Sequence, residues 1–420
     1  MTKYQRITGM RDVLFDEQRY WRFILSKIQE TVDLFGYQRI DTPLLESAGL
    51  FIRGVGEGTD IVEKEMYIFE DRDGDLLALR PEFTAGMMRA YIENGLHTLP
   101  TPVKVWGFGP LFRHERPQAG RYRQHSQFDI EVIGEQDAAV DVEVISLAWY
   151  LFTSLGFRGL RLYINSTGCP VCKPKYIQTL VNFFQPYASK LPADDKMRLQ
   201  KNPLRILDSK EEATQPLLAD APRITDHLCA DCADHFARLK AYLTAIDRSF
   251  VVDYRIVRGL DYYTKTVFEI KADGLGSQDT ICGGGRYDGL IEELGGKPTP
   301  GIGFGSGIER YVIALQHLGI EPPPEPLPKV TVSYLGDVAK PVAIKIAEML
   351  RYENIGALFT PGDRSLKAQL KAAHRAGAAF AVILGEDEVQ AGQATVRNMF
   401  DSRQVSVNIG DLAAWLKERL

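Results

Sequence analysis

The sequence predicts an α+β protein: an antiparallel sheet with flanking helices, a helical insertion, and a separate C-terminal α/β domain. Three observations carry this. Segments 103–108, 127–133, 161–165, 251–256, 266–271 and 302–305 have strand character with little helix between several of them, which suits an antiparallel sheet. The stretch 168–240 is polar and helical in pattern and interrupts those strands. Residues 321–328 hold five prolines in eight positions, which bars helix and central strand and favours a stiff polyproline II spacer.

Asp16–Phe35 reads as a long amphipathic helix, with Trp21, Ile24, Leu25, Ile28 and Val32 at helical spacing and Gly36 as its stop. Beyond the prolines, Val330–Leu335 and Phe380–Leu384 read as strands, and Ala339–Tyr352, Ser365–Ala376 and Asp411–Leu420 as helices. These elements divide the 420 residues into a first domain, 1–325, with its insertion at about 168–240. The end of the linker, 326–328, and a tail domain, 329–420, follow.

A hydrophobic content of 45% with 25% charged residues excludes a disordered, collagen-like or coiled-coil chain. The net charge of −5 means that any nucleic acid must be met by a local patch. From 329 onward 12 basic against 10 acidic residues give +2, and 38 against 45 before it give −7. The N-terminus MTKYQRITGMRD lacks an apolar signal-peptide region, and no run of 18 apolar residues offers a membrane span. Of five cysteines, four form the CxxC pairs Cys169/Cys172 and Cys229/Cys232, which points to a reducing compartment, by default the cytoplasm.

Three windows concentrate chemistry. Arg113–Arg123 carries four arginines against one glutamate around Pro117 and Gly120, a loop between strands. Guanidinium groups grip phosphates bidentately, so this density suits a polyphosphate or a nucleic-acid end; the alternative is a solvated hairpin tip. Gly301–Arg310 alternates glycines along a strand that leads into a helix bearing Arg310. Such glycines admit a flat ligand, or simply tight packing, and their spacing is neither a P-loop nor a dinucleotide fingerprint. Val257–Thr264 and Gly283–Gly289 each set an arginine and tyrosine beside glycine, for an aromatic hydrogen-bonding ligand or for the core.

From Gly9-Met10-Arg11-Asp12 to the tail, these segments together resemble the bacterial-type histidyl-tRNA synthetases, class II aminoacyl-tRNA synthetases. Arg39–Glu46 looks like class II motif 1, a dimer-interface element, Phe112–Glu131 like motif 2 and Gly301–Arg310 like motif 3. Arg258–Thr264 and Gly283–Tyr287 resemble the segments peculiar to the histidine enzymes and make the match specific. The resemblance implies a homodimer acting on L-histidine, ATP and tRNA(His). Histidine's carboxylate attacks the α-phosphate, and the tRNA 3′-terminal ribose hydroxyl then takes the acyl group. Mg2+ would accompany ATP.

By that resemblance Arg113 and Arg258 face histidine and the α-phosphate, Arg310 and Arg121 serve the outer phosphates, and Glu115 contacts the adenine side. Glu131 and Tyr263 take the histidine ring, Tyr262 and Tyr287 line its pocket, and Glu82-Phe83-Thr84 with Gln127 hold the α-amino group. Phe83 stands where glycine is usual, and Ala119 replaces a commonly basic residue. Arg116 and Gln118 fall to the tRNA acceptor end; Arg364, Lys367, Lys371 and Arg375 form a basic helix face in an anticodon-binding tail. The alternative is a non-catalytic synthetase-like regulatory subunit of ATP phosphoribosyltransferase. Such subunits generally lack the tail and lose these arginines. Cys169, Cys172, Cys229 and Cys232 form either a four-thiolate zinc site or reduced structural thiols; their 56-residue separation excludes a single compact knuckle.

Overall fold

A computed structural model describes residues 4–118, 120–276, 279–325 and 327–420; Ala119 and, in the expected linker end, Pro326 lie outside it. The chain divides into two compact units, Met1–Pro323 and Pro324–Leu420. Among the described residues no helix is long and apolar enough to cross a membrane.

The first unit is built on an eight-stranded sheet. Its order is Gln38–Arg39, Val103–Phe112, Gln124–Ile133, Gly301–Gly307, Thr280–Arg286, Thr264–Lys271, Arg161–Ser166 and Phe250–Val252. Inner neighbours are antiparallel, and only the two short edge strands pair parallel. The expected strand 251–256 ends at Val252, because Asp253 accepts the Arg255 N–H and turns the chain into a loop. Thr280–Arg286 was not among the expected strands. Its three consecutive glycines have no β-propensity, and its neighbours' ladders hold it in place. A small sheet of Leu45–Ser47, Leu76–Leu79 and Tyr67–Glu70 lies apart from the large one.

One face of the large sheet is packed by helices. Phe15–Phe35 buries Tyr20, Trp21, Ile24, Ile28 and Val32, and its last turn closes on Gly36 in the left-handed region (φ 74°). Ala138–Ser154 and Ile308–His317 complete this core with Phe128, Ile130, Val132, Phe268 and Phe304 from the sheet. Helix Thr84–Glu93 covers part of the other face with Phe83, Met87 and Met88.

The insertion has its own core of Tyr176, Leu180, Phe184, Leu199, Ile206, Leu218 and Ile224. Its last helix, Ala230–Ala245, instead packs Phe236, Leu239 and Leu243 into the main core. The second unit is a five-stranded sheet ordered Ala357–Phe359, Val330–Tyr334, Phe380–Leu384, Gln393–Asn398 and Gln404–Asn408, the first three parallel. Gln404–Asn408 alternates Val405 and Val407 with polar residues but exposes all but Val407, and was not among the expected strands.

Candidate active site

Because side chains alternate along a strand, Gln124–Ile133 sends Phe128, Ile130 and Val132 into the helix-packed core and turns Gln127, Asp129 and Glu131 to the other face. The residues opposite these three on the next strand are Gly307, Gly305 and Gly303. One strand further, Gly283 pairs with Gly305 and Gly285 with Gly303. Two neighbouring strands therefore present bare backbone. A Cβ on Gly303 would overlap the Glu131 carboxylate, one on Gly305 the Gln127 amide and one on Gly283 the Arg258 guanidinium. The space left is a cavity of about 160 Å³.

Its walls are polar and largely satisfied. Glu131 accepts hydrogen bonds from Thr84 Oγ1 (2.6 Å) and the Tyr287 hydroxyl (2.5 Å). Glu82 accepts the N–H groups of Thr84 (2.7 Å) and Ala85 (2.8 Å), which caps helix Thr84–Glu93. Asp129 Oδ1 accepts from Gln127 Nε2 at 2.9 Å, while the buried Oδ2 meets no donor among the described residues. Burial pushes all three carboxyls up, Asp129 and Glu131 well above the usual range; Glu82 adds repulsion at Asp129, and Asp129 and Glu82 add it at Glu131. Arg258 donates to Glu269 at 2.8 Å; burial opposes its charge, but Tyr263 and Glu269 hold its pKa above the ordinary value. Burial pushes the Tyr263 hydroxyl up to about 12. The rings of Tyr262 and Tyr263 lie 4.8 Å apart, and those of Tyr262 and Tyr287 lie 5.9 Å apart. Carboxylates, phenols and two guanidinium groups around so small a space suit a zwitterion with a flat, hydrogen-bonding side chain.

A larger cavity of about 400 Å³ shares Ile61, Arg113, Gln127 and Gly259 with the first. Arg113, Arg121, Arg205 and Arg310 border it, and Glu115 pairs with Arg121 at 3.5 Å. Burial, helped by Arg113, lowers His125 to about 3, so its ring is neutral. Burial raises Glu309 to about 7 against the N–H of Ser126, which it accepts at 2.8 Å. Four guanidinium groups round an open cavity suit a polyphosphate.

The fold brings most of the expected residues together. Glu82, Thr84, Arg113, Gln127, Glu131, Arg258, Tyr262, Tyr263 and Tyr287 line the smaller cavity; Arg113, Glu115, Arg121 and Arg310 line the larger. Phe83 does not line either. Its ring is buried in the core with Met87, and the Arg80 guanidinium lies 4.1 Å from its centre. Arg116 and Gln118 sit on an exposed loop outside both cavities. In the second unit Arg364, Lys367, Lys371 and Arg375 are all exposed, opposite the buried Gln369 and Ala373 of helix Leu366–Arg375. Residues not anticipated include Asp129, His125, Glu309 and Arg205. Asp129 lies two residues from both Gln127 and Glu131, so strand alternation alone could have found it; Arg205, from the insertion, had no such signal.

The two CxxC pairs meet. Sulfur separations are 3.7 Å for Cys169–Cys172, 3.7 Å for Cys169–Cys229 and 3.8 Å for Cys172–Cys232, and all four sulfurs lie within 4.8 Å of one another. This cluster could hold a metal ion.

Comparison with known proteins agrees along the whole chain. Residues 9–169 and 187–310 match the histidyl-tRNA synthetase family model, and residues 329–419 match an anticodon binding domain. A histidine–tRNA ligase of Dehalococcoides mccartyi is 50% identical over 417 residues, 99% of this chain and 100% of the relative. The crystal structure of apo S. aureus histidyl-tRNA synthetase superposes with a TM-score of 0.83 at 34% identity, covering 99% of this chain and 100% of that one. An ATP phosphoribosyltransferase regulatory subunit/histidyl-tRNA synthetase structure from Bacillus halodurans, at 21% identity and a TM-score of 0.64 over 92% of this chain, shares the fold alone. The paired cavities, the glycine-floored sheet and these full-length matches place the chain in the histidyl-tRNA synthetase family.

Proposed function

We infer that the chain is a histidine–tRNA ligase, which activates L-histidine with ATP to histidyl-adenylate and transfers the histidyl group to the 3′ end of tRNA(His). One observation carries the reading at the level of the site. The doubly hydrogen-bonded Glu131 carboxylate lies in a small cavity that shares Arg113 with an arginine-lined one, so an amino acid and a nucleotide can meet at a common guanidinium.

The roles follow from charge and hydrogen-bonding capacity. Glu131 accepts from one ring nitrogen of histidine and Tyr263 meets the other, while Tyr262 and Tyr287 close the pocket. A ring lacking those nitrogens would leave Glu131 buried and short of a partner, which discriminates strongly. Glu82 and Thr84 are already engaged, by the helix N-terminus and by Glu131, so the free Oδ2 of Asp129 joins Gln127 as the partner of the α-ammonium. Arg113 and Arg258 stand where negative charge grows on the α-phosphorus, and Arg121 and Arg310 hold the outer phosphates. Glu115 serves the adenine side. Mg2+, which takes oxygen ligands, would enter with ATP.

Arg116 and Gln118 would meet the acceptor end, and the Arg364, Lys367, Lys371 and Arg375 face would meet the anticodon, a reading supported by the exposure of all six. A homodimer is supported by exposed Leu44, Leu45, Ile68, Phe69 and Leu76, apolar surface on and beside the small sheet that includes part of the motif 1 segment. The four cysteines suit structural zinc. With Zn–S bonds of about 2.3 Å, a tetrahedron sets its sulfurs about 3.8 Å apart; three of the six separations here are 3.7–3.8 Å, and all lie within 4.8 Å. The Cys169 N–H also donates to Cys172 Sγ at 3.2 Å, as suits a thiolate. Histidine-dependent ATP–pyrophosphate exchange tests the activation step: exchange with histidine alone among the amino acids is expected, and no exchange overturns the reading.

A further inference from the structure

We propose that the four-cysteine metal centre fixes the two segments bearing the pocket tyrosines, with Lys173 as a positioning residue, so that histidine affinity depends on the metal. The proposal rests on the zinc reading above and extends it to the known reaction.

The first cysteine pair is tied to the segment carrying Tyr262 and Tyr263. Thr167 donates its N–H to Lys265 O, and Lys265 returns its own to Gly168 O, both at 2.7 Å. Thr167 Oγ1 donates to Tyr263 O at 3.2 Å. Lys173, the residue after Cys172, points its ammonium at Asp261 O (3.3 Å) and Tyr263 O (3.4 Å), gripping the backbone on both sides of Tyr262. This segment needs holding, because Lys265 sits at φ 48°, a left-handed conformation costly for a residue with a side chain.

The second pair is tied to the segment carrying Tyr287. Cys229 immediately precedes helix Ala230–Ala245, which carries Cys232 and from which His235 Nε2 bonds Asp141 Oδ2 at 2.8 Å. The other oxygen of Asp141 takes Arg286 Nε at 2.7 Å. Arg286 is fully buried and directly precedes Tyr287, whose hydroxyl meets Glu131. The two segments also touch each other, since Asp288 N–H donates to Thr264 Oγ1 (3.1 Å) and Lys265 pairs with Asp288 (3.3 Å). Between the cysteine pairs lie the 56 residues of the insertion, whose own core brings its two ends together. A metal replaces weak thiol contacts with four bonds and locks both segments at once. Neither pair lines either cavity; of the residues on the segments they hold, Tyr262, Tyr263 and Tyr287 line the smaller cavity and not the larger. Metal loss should therefore alter histidine binding rather than ATP binding.

The test uses the full chain, purified without chelator. Metal content is measured by mass spectrometry on the wild type, a Cys169→Ser/Cys229→Ser variant and a Lys173→Met variant. Steady-state pyrophosphate exchange and amide hydrogen exchange over 258–266 are measured on the same proteins. About one zinc per chain is expected in the wild type and in Lys173→Met, and none in the cysteine variant. The cysteine variant should raise KM for histidine about tenfold or more, and Lys173→Met about threefold to tenfold, with kcat and KM for ATP within about threefold. Amides over 258–266 should exchange faster in both. A zinc-free, fully active wild type overturns the zinc reading. Zinc-loaded wild type with unchanged KM and hydrogen exchange in the variants overturns the coupling alone. Should the cysteine variant not fold, Lys173→Met decides: retained zinc with unchanged KM and exchange overturns the proposal. The wild type's own histidine dependence reports separately on the ligase reading.

Discussion

Asp129 illustrates how one buried carboxyl can be held for a ligand. Its Oδ1 is engaged by Gln127, its Oδ2 has no donor among the described residues, and burial beside Glu82 raises its pKa. An α-ammonium would satisfy that oxygen. A charged hydrogen bond is worth about 1.5–3 kcal/mol, so Asp129→Asn should raise KM for histidine about 10- to 100-fold with little change in KM for ATP. Equal loss on both substrates in pyrophosphate exchange would contradict the assignment. His125 makes a second residue-scale prediction. Burial lowers its ring to about 3 in the fold, against about 6.5 for an unfolded chain. Below pH 6.5 the unfolded chain gains a proton that the folded one refuses, so stability is lost as pH falls from 6.5 towards 3. His125→Gln should lessen the fall in Tm between pH 7.5 and pH 5, read by calorimetry; an unchanged fall would show that His125 titrates normally.

At the scale of elements, the site depends on two strands without side chains on one face. Gly303→Ala puts a methyl group into the Glu131 carboxylate, between ladders that cannot shift. The expected outcome is a loss of histidine-dependent exchange of about 100-fold or more, with a fold retained by circular dichroism. Near-normal exchange would mean that the floor of the cavity lies elsewhere. The strands that carry alternating or continuous apolar residues, such as Val103–Phe112 and Gln124–Ile133, were legible because burial imposes their pattern. Thr280–Arg286 was not, because glycines serve the ligand space rather than the core and leave no hydrophobic trace. Phe83 misled for a related reason: position in a motif says nothing of which way a side chain turns, and a large ring goes to the core. The sulfur cluster was legible as two pairs, but their meeting depends on how the insertion's helices pack on one another, which helical spacing such as Tyr176, Leu180 and Phe184 does not specify.

At the scale of the molecule, the net charge of −5 conceals a division of labour between a unit that holds both cavities and a second unit with its own core and a basic helix face. Removing residues 329–420 should therefore leave pyrophosphate exchange within about threefold while lowering kcat/KM for tRNA about 100-fold or more. Equal losses in both would deny the tail a role in RNA binding. The central claim, that this chain joins histidine to tRNA(His), is tested most directly by transfer of labelled amino acid to tRNA in the presence of ATP and Mg2+. Acid-precipitable label from histidine on tRNA(His), absent without ATP and absent with other amino acids, is the predicted result. ATP-dependent charging with another amino acid, or none with histidine, would contradict it.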